Sequence, residues 1–300
     1  MGIIVQTKKQ RQMKRQYIFL LAMLLLATIS CDELPDELFE KQVLFARNGL
    51  IERELELTEA NSIETNVSIS VSGTSVLKQD VNFTITEFAD TLVDLNKQLF
   101  YDNEEQYYTL LPQAAYNFNS YNGTVKKGDE FGTLPFSIDW KKLDMHKRYV
   151  LPIKIESTSA FQVAPNNASS MLIEFRFFNN YSGSYSLNSI VNGKSIQQSG
   201  IKINALDANS CFITLPLFPG EDYTFIAKVN SDKSLTITAK NPEKLTLEMT
   251  NNGELLDNPN VYIETEGMKQ FDIAFKYKRP TDDDFINFEG AFASAVDEEE

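Results

Sequence analysis

Carboxylates are plentiful in this chain, 42 Asp and Glu among 300 residues, and their densest string is Asp282-Asp283-Asp284-Phe285-Ile286-Asn287-Phe288-Glu289. Glycoside hydrolysis needs two such groups, one to protonate the leaving oxygen and one to serve as base or nucleophile. In the D-x-x-D-x-D-x-E spacing of one glycosidase class, Asp282 and Glu289 fit, but Phe285 and Asn287 stand at the other two acidic positions. That spacing also belongs at the end of a strand in a barrel of about 250 residues, a length this chain does not leave for it. Nucleophilic catalysis would have to use the single histidine, His146, in the polar segment Asp144-Met145-His146-Lys147-Arg148. No Gly-x-Ser-x-Gly elbow presents a serine to it. One His and two Cys are too few for a His/Cys zinc site. P-loop, Gly-x-Gly-x-x-Gly and calcium-loop patterns are absent as well. The sequence therefore predicts no catalytic residues, no metal and no cofactor, and the chain is read as non-enzymatic.

Binding chemistry is better represented. Sugar sites set aromatic faces against pyranose C–H surfaces and use amides and carboxylates to fix the hydroxyls. Tyr101, Tyr107, Tyr108, Tyr116, Tyr121 and Trp140 fall in one stretch, among Asn103, Asn117, Asn119 and Asn122. From this cluster Trp140, Tyr121, Tyr116 and Asn119 are the candidate ligand-binding residues. Trp140 also closes the alternating run Phe136-Ser137-Ile138-Asp139-Trp140, which favours its burial on one face. Nucleic acid is excluded as the main partner. With 28 basic against 42 acidic residues the formal charge is −14, and phosphate binding needs clustered cations.

The elements that must position these residues are mostly strands. Val67, Ile69 and Val71 alternate with serines, Val81, Phe83 and Ile85 with Asn and Thr, and Tyr149, Leu151, Ile153 and Ile155 keep the same period of two. Ser72-Gly73, Asn122-Gly123, Lys127-Gly128-Asp129 and Asn166-Asn167 read as turns between them. One helix interrupts, Thr91 to Tyr101, with Asp90 as N-cap and Leu92, Leu95 and Leu99 on its packed face. After Asn179-Asn180 a second set of about eight short strands suits a small up-and-down barrel. The fold class is thus all-β: a sandwich over 41–178 carrying one short helix, then an antiparallel barrel over 179–280. Residues 281–300 lose the period and read as an acidic tail, in which Phe285, Phe288 and Phe292 have a spacing that would suit a terminal helix.

Residues 1–30 hold five cations, Lys8, Lys9, Arg11, Lys14 and Arg15, no acid, and an apolar run from Tyr17 to Ile29. A charged head, a short apolar stretch and a small residue at the cut make a secretory signal. The cut falls before Cys31 in Ala27-Thr28-Ile29-Ser30-Cys31, which resembles a bacterial lipoprotein signal, with Thr28 where Leu is usual. That resemblance implies lipidation of Cys31 and an outer-membrane anchor, followed by an acidic tether over 31–40. Removal of the leader leaves 23 basic against 42 acidic residues, a charge of −19. Cys211 is then without a disulfide partner and is read as a small buried hydrophobe.

Four further segments occur in order: Leu92-Val93-Asp94-Leu95-Asn96, Leu111-Pro112-Gln113-Ala114-Ala115-Tyr116, Gly128, and Tyr149-Val150-Leu151-Pro152-Ile153. Together they resemble, over roughly residues 36–176, a domain of unknown function in Bacteroidetes surface lipoproteins of polysaccharide-utilisation loci. It is also found ahead of some secreted endo-β-N-acetylglucosaminidases. The stretch Tyr181-Ser182-Gly183-Ser184-Tyr185 is similar to the calycin-like domain that follows in many relatives. The resemblance implies an immunoglobulin-like sandwich and a lipocalin-like barrel facing the cell exterior. The expected role is a non-catalytic accessory that binds glycan or assists an outer-membrane importer. The alternatives are a structural or adhesive spacer and a lipocalin-like carrier of an apolar ligand.

Overall fold

The computed structural model describes residues 39–218, 221–250 and 255–295. In chain order, β1 (Gln42–Phe45), β2 (Gly49–Glu56), β3 (Ser62–Val71) and β4 (Val81–Glu87) precede helix α1 (Asp90–Phe100). Then come β5 (Thr109–Leu110), β6 (Tyr116–Phe118), β7 (Asn122–Val125), β8 (Phe131–Asp139), β9 (Tyr149–Thr158), β10 (Gln162–Val163) and β11 (Ser170–Phe178). They form two sheets, β10-β1-β3-β8-β6 and β2-β11-β9-β4-β7, with β5 added beside β9. The inward residues of both sheets, such as Val67, Ile69, Phe83, Ile85, Phe136, Ile138, Leu151, Ile153 and Phe175, share one core. Each fully buried side chain of this size is worth about 1.5–3 kcal/mol.

Two glycines are required by close approach, Gly132 where the two sheets meet and Gly123 opposite Phe83 within the second sheet. A Cβ on Gly132 of β8 would lie 2.4 Å from the backbone oxygen of Thr124 in β7. A Cβ on Gly123 would lie 2.3 Å from the ring of Phe83. The pair Asn122-Gly123, expected as a turn, therefore opens strand β7 instead, because the glycine admits the Phe83 ring. Prolines obey the ladder as well. Pro152 of β9 sits between the end of β4 pairing, at Glu87↔Ile153, and the end of β5 pairing, at Leu110↔Val150. In that gap no N–H is needed.

Helix α1 differs from expectation in its cap and its face. Ala89, not Asp90, is the N-cap, without a side-chain bond. The helix lies on the outer face of the second sheet, where Leu92 packs with Tyr108, Val150 and Leu172, while Leu99 is 46% exposed. Asn96 is buried and takes the place of an apolar residue because its amide acts as a strand partner. Its Nδ2 donates to the Tyr108 oxygen (2.9 Å) and its Oδ1 accepts from the Tyr108 N–H (2.8 Å).

The barrel strands are β12 (Gly183–Val191), β13 (Lys194–Ala205), β14 (Ser210–Phe218), β15 (Glu221–Val229), β16 (Leu235–Ala239), β17 (Thr246–Met249), β18 (Val261–Thr265), β19 (Met268–Lys278) and β20 (Ile286–Ala295). β17 and β18 pair with successive stretches of the same edge of β19. They are one wall of the barrel in two pieces. Asn260 bridges them: its side chain bonds the Thr250 oxygen (2.8 Å) and the Ala274 N–H (3.0 Å). Its own oxygen accepts from Leu235 of β16 (2.8 Å), which draws the sheet toward closure.

The expectation for 281–300 is overturned over β20, which is neither tail nor helix. It pairs with β12 on one side and β19 on the other, and Phe288 and Phe292 point into the core at 1% and 0% exposure. Glu289, the acid that fitted the glycosidase spacing, instead accepts the Leu256 N–H at 2.5 Å. The interior is filled by aromatic rings, among them Phe275 against Phe288 at 4.9 Å and against Phe225 at 5.2 Å. That packing speaks against a stored apolar cargo. Among the described residues no helix is long and apolar enough to cross a membrane.

Gly132→Ala places a methyl group against fixed backbone, and repacking cannot relieve it. The expected loss is about 2–3 kcal/mol in urea unfolding; a stability equal to wild type would show that the sheets do not approach this closely.

Candidate functional site: a cleft between the two domains

Four segments meet in a cleft of about 540 Å³ between sandwich and barrel. The β2–β3 turn contributes Thr58 and Glu59, and the end of β8 contributes Trp140 and Lys141. The loop that follows adds Asp144 and His146, and the barrel side adds Asp207, Asn209 and Lys228. Short polar side chains shape each loop by accepting a backbone N–H two residues on. Thr58 accepts from Ala60 (3.3 Å), Asp144 from His146 (3.1 Å) and Asp207 from Asn209 (2.8 Å). Across the cleft the Asn209 amide donates to the Glu59 carboxylate at 2.5 Å, a direct bond between the domains.

One wall is aromatic. Trp140 is 6% exposed, donates its indole N–H to the Ala60 oxygen (2.8 Å), and packs with Leu57 and with Ala205 of the barrel. The His146 ring lies on Phe212 of β14, with centroids 4.2 Å apart. Burial, reinforced by the Lys240 cation and opposed by Asp144, holds His146 below the ordinary imidazole value of 6.5. The imidazole is therefore neutral at pH 7. Its ring meets Phe212, and its contact with Asp144 runs through the backbone N–H, so the pair is no acid–base relay. Carboxylates, lysines and amides around an aromatic wall form instead a hydrogen-bonding set for a polyhydroxylated ligand. Among the described residues no group of three His, Cys, Asp or Glu could hold a metal ion.

Of the four residues expected to bind ligand, Trp140 alone lines this cleft, and as wall rather than as stacking platform. Tyr116 is 7% exposed and donates its hydroxyl to Gln113 (2.7 Å). Tyr121 is half-buried and donates to Glu87 (2.6 Å). Burial raises the pKa of both phenols, with Glu87 adding to it. Their rings pack on Phe118 at 6.1 and 5.1 Å, so these tyrosines close the sandwich rather than greet a ligand. Asn119 is exposed and accepts from Asn117 (3.3 Å). Tyr108 is likewise structural. Its hydroxyl donates to the buried Glu174 (2.8 Å), which Arg148 also holds (2.9 Å), and burial followed by Glu174 pushes the phenol up to about 12. Cys31, the expected lipidation site, lies outside the described residues.

Sequence reasoning missed the residue that orients the cleft. Asn179, first after β11, is 4% exposed. Its Nδ2 donates to the Asp207 oxygen (2.6 Å) and the Ser210 oxygen (3.0 Å). Its Oδ1 accepts from the N–H groups of Tyr181 (3.0 Å) and Ser182 (2.8 Å), and from the Cys211 thiol (3.4 Å). The only signal was the Asn179-Asn180 pair at the domain boundary, which marks a junction and not a buried amide.

Two companion family models, one of an N-terminal and one of a C-terminal domain, match residues 39–162 and 169–293. The chain belongs to this two-domain family. Among solved structures, the chain is similar to a protein of unknown function from Bacteroides ovatus, 20% identical, aligned over 85% of this chain and 94% of that one with a TM-score of 0.65. An auxiliary nutrient binding protein from Bacteroides thetaiotaomicron is 18% identical over 81% of this chain and 90% of its own, with a TM-score of 0.58. At such identities the likeness establishes a shared all-β fold and no more. No curated protein matches the chain.

Asn179→Ala strands several buried backbone groups at once and is expected to cost about 3–5 kcal/mol in chemical denaturation. A loss under about 1 kcal/mol would show the linker to be held by packing alone. For His146, the folded pKa lies below the unfolded one, so the unfolded chain binds more protons and stability rises with pH. The contribution is complete above 6.5 and is lost as pH falls through the depressed value. Melting temperature should therefore drop between pH 7.5 and 5.5, and His146→Gln should flatten that slope; an unchanged slope in the variant refutes the assignment.

Proposed function

We propose that this protein is a non-catalytic surface lipoprotein, anchored in the outer membrane through Cys31 and facing the exterior. In this reading it binds glycan as an accessory to a polysaccharide-utilisation system and hands it to an outer-membrane importer. The observation that carries the reading is the interdomain cleft: a concave, polar site against an aromatic wall, with its one imidazole engaged by Phe212. Clefts between domains are favoured places for small ligands. The signal-like leader and the acidic segment after Cys31 support the address, and the structural relative described as an auxiliary nutrient binding protein supports the role. The filled barrel makes the apolar-carrier alternative the weaker one.

Calorimetric titration with a panel of plant and host oligosaccharides should find at least one ligand. Lys141→Ala combined with Lys228→Ala, two exposed cleft lysines, should weaken it about tenfold without lowering the melting temperature. Failure to bind any glycan, with unchanged growth of a deletion strain on all of them, overturns the proposal.

A further inference from the structure

A second concavity, of about 530 Å³, opens at one end of the barrel. β15 supplies Tyr223 and Thr224, the β16–β17 loop Lys240, Asn241 and Lys244, and the end of β19 Arg279. Behind it lie buried rings: Tyr223 is 6% exposed and lies 5.6 Å from the ring of Tyr277, and the Arg279 guanidinium covers it at 5.6 Å. Arg279 is held by Asp282 through Nε (2.8 Å) and Nη2 (2.6 Å), which fixes the cation at the rim. Lys240 and Lys244, exposed on the facing rim, make no ion pair among the described residues.

Two features set this mouth apart from an ordinary charged surface. First, it gathers three cations against Asp282 and the neighbouring Glu243, in a chain where acids outnumber bases by 42 to 28. Second, Tyr277 is 1% exposed, yet its hydroxyl has no hydrogen-bond partner among the described residues. It lies near enough to Arg279 and Asp282 to feel both charges. A buried hydroxyl left unmatched is costly unless a ligand group or a water meets it. The Asn241 carboxamide accepts the Glu243 N–H through Oδ1 (3.1 Å), which leaves its NH₂ turned to other acceptors.

We infer that the barrel mouth is a second glycan subsite that selects acidic sugars, those carrying a carboxylate or a sulfate. Lys240 and Lys244 pair with the anion, the Asn241 amide and the Arg279 guanidinium meet the sugar's hydroxyls, and a water held between the sugar and the barrel interior satisfies Tyr277. A cation pair gives charge selectivity that the mixed-sign interdomain cleft lacks. The inference rests on the glycan-binding reading and adds a ligand class to it.

The test titrates the full chain with an oligogalacturonide, with its methyl-esterified neutral counterpart, and with a sulfated galactan oligosaccharide. At least one acidic probe should bind about tenfold tighter than the neutral one, with affinity falling as salt rises. The paired substitutions Lys240→Glu and Lys244→Glu should abolish that preference at unchanged melting temperature. Tyr277→Phe, which keeps the ring, should weaken the same probe about threefold or more. Which acidic probe binds separates carboxylate from sulfate recognition. Equal affinity for acidic and neutral probes, or a preference that survives charge reversal, overturns the subsite and leaves the glycan reading standing. Absence of binding to every acidic and neutral probe also overturns the subsite, and the glycan reading falls with it only if the wider oligosaccharide panel and the deletion strain give the negative result stated above.

Discussion

One carboxamide, Asn179, joins the end of the sandwich to the first turns of the barrel, beside the Asn209–Glu59 bond and the packing of Trp140 with Ala205. Strand β11 runs parallel to β2 as far as Phe178↔Glu56, and Leu57 donates to the Phe178 oxygen (2.7 Å), so the sandwich holds the chain up to the residue before Asn179. From there Asn179 binds two oxygens of the 207–210 turn with its NH₂, and two N–H groups and a thiol with its oxygen. A side chain with a donor end and an acceptor end is needed. A carboxylate would face two carbonyl oxygens, and an apolar residue would leave buried groups unmatched. The same turn presents Asp207 and Asn209 to the cleft, so the linker's hydrogen bonds and the site's geometry are one arrangement. Cys211 belongs to it as well. Its thiol is pushed up to about 12, chiefly by burial, which makes it a neutral packing and donor group rather than a reactive one.

Polar side chains elsewhere follow the same logic of matching buried groups. Asn96 substitutes for a strand edge so that a short helix can lie on the outer face of a sheet. Glu174, with Tyr108 and Arg148, closes the end of that contact, and Arg148 also stands over the Tyr108 ring at 4.3 Å. Aromatic and amide residues dense enough to resemble a sugar site are largely consumed in this way. Groups left over lie between the domains and at the mouth of the barrel, two of the places where the described residues are concave.

Much of the fold was legible. A period of two in hydrophobicity survives any detail of packing, so the sandwich strands and most barrel strands could be read directly. The tail was misread for a physical reason. Phe285, Phe288 and Phe292 fit a helical face, but Gly290 completes a strand face with Phe288 and Phe292. A Cβ there would lie 2.9 Å from Leu187 and from Phe288. The strand exists because two neighbours, β12 and β19, need a partner, and that demand is set far away in sequence.

The sequence by itself determined the all-β class, the order of the two domains and the acidic charge. These follow from composition and local periodicity, which each residue carries with it. Only the tertiary structure decided which aromatics are wall and which are accessible, that β20 joins the barrel, and that Asn179 ties the domains together. Those outcomes depend on pairings between residues tens of positions apart, and a hydrogen bond across such a distance leaves no local pattern to be read.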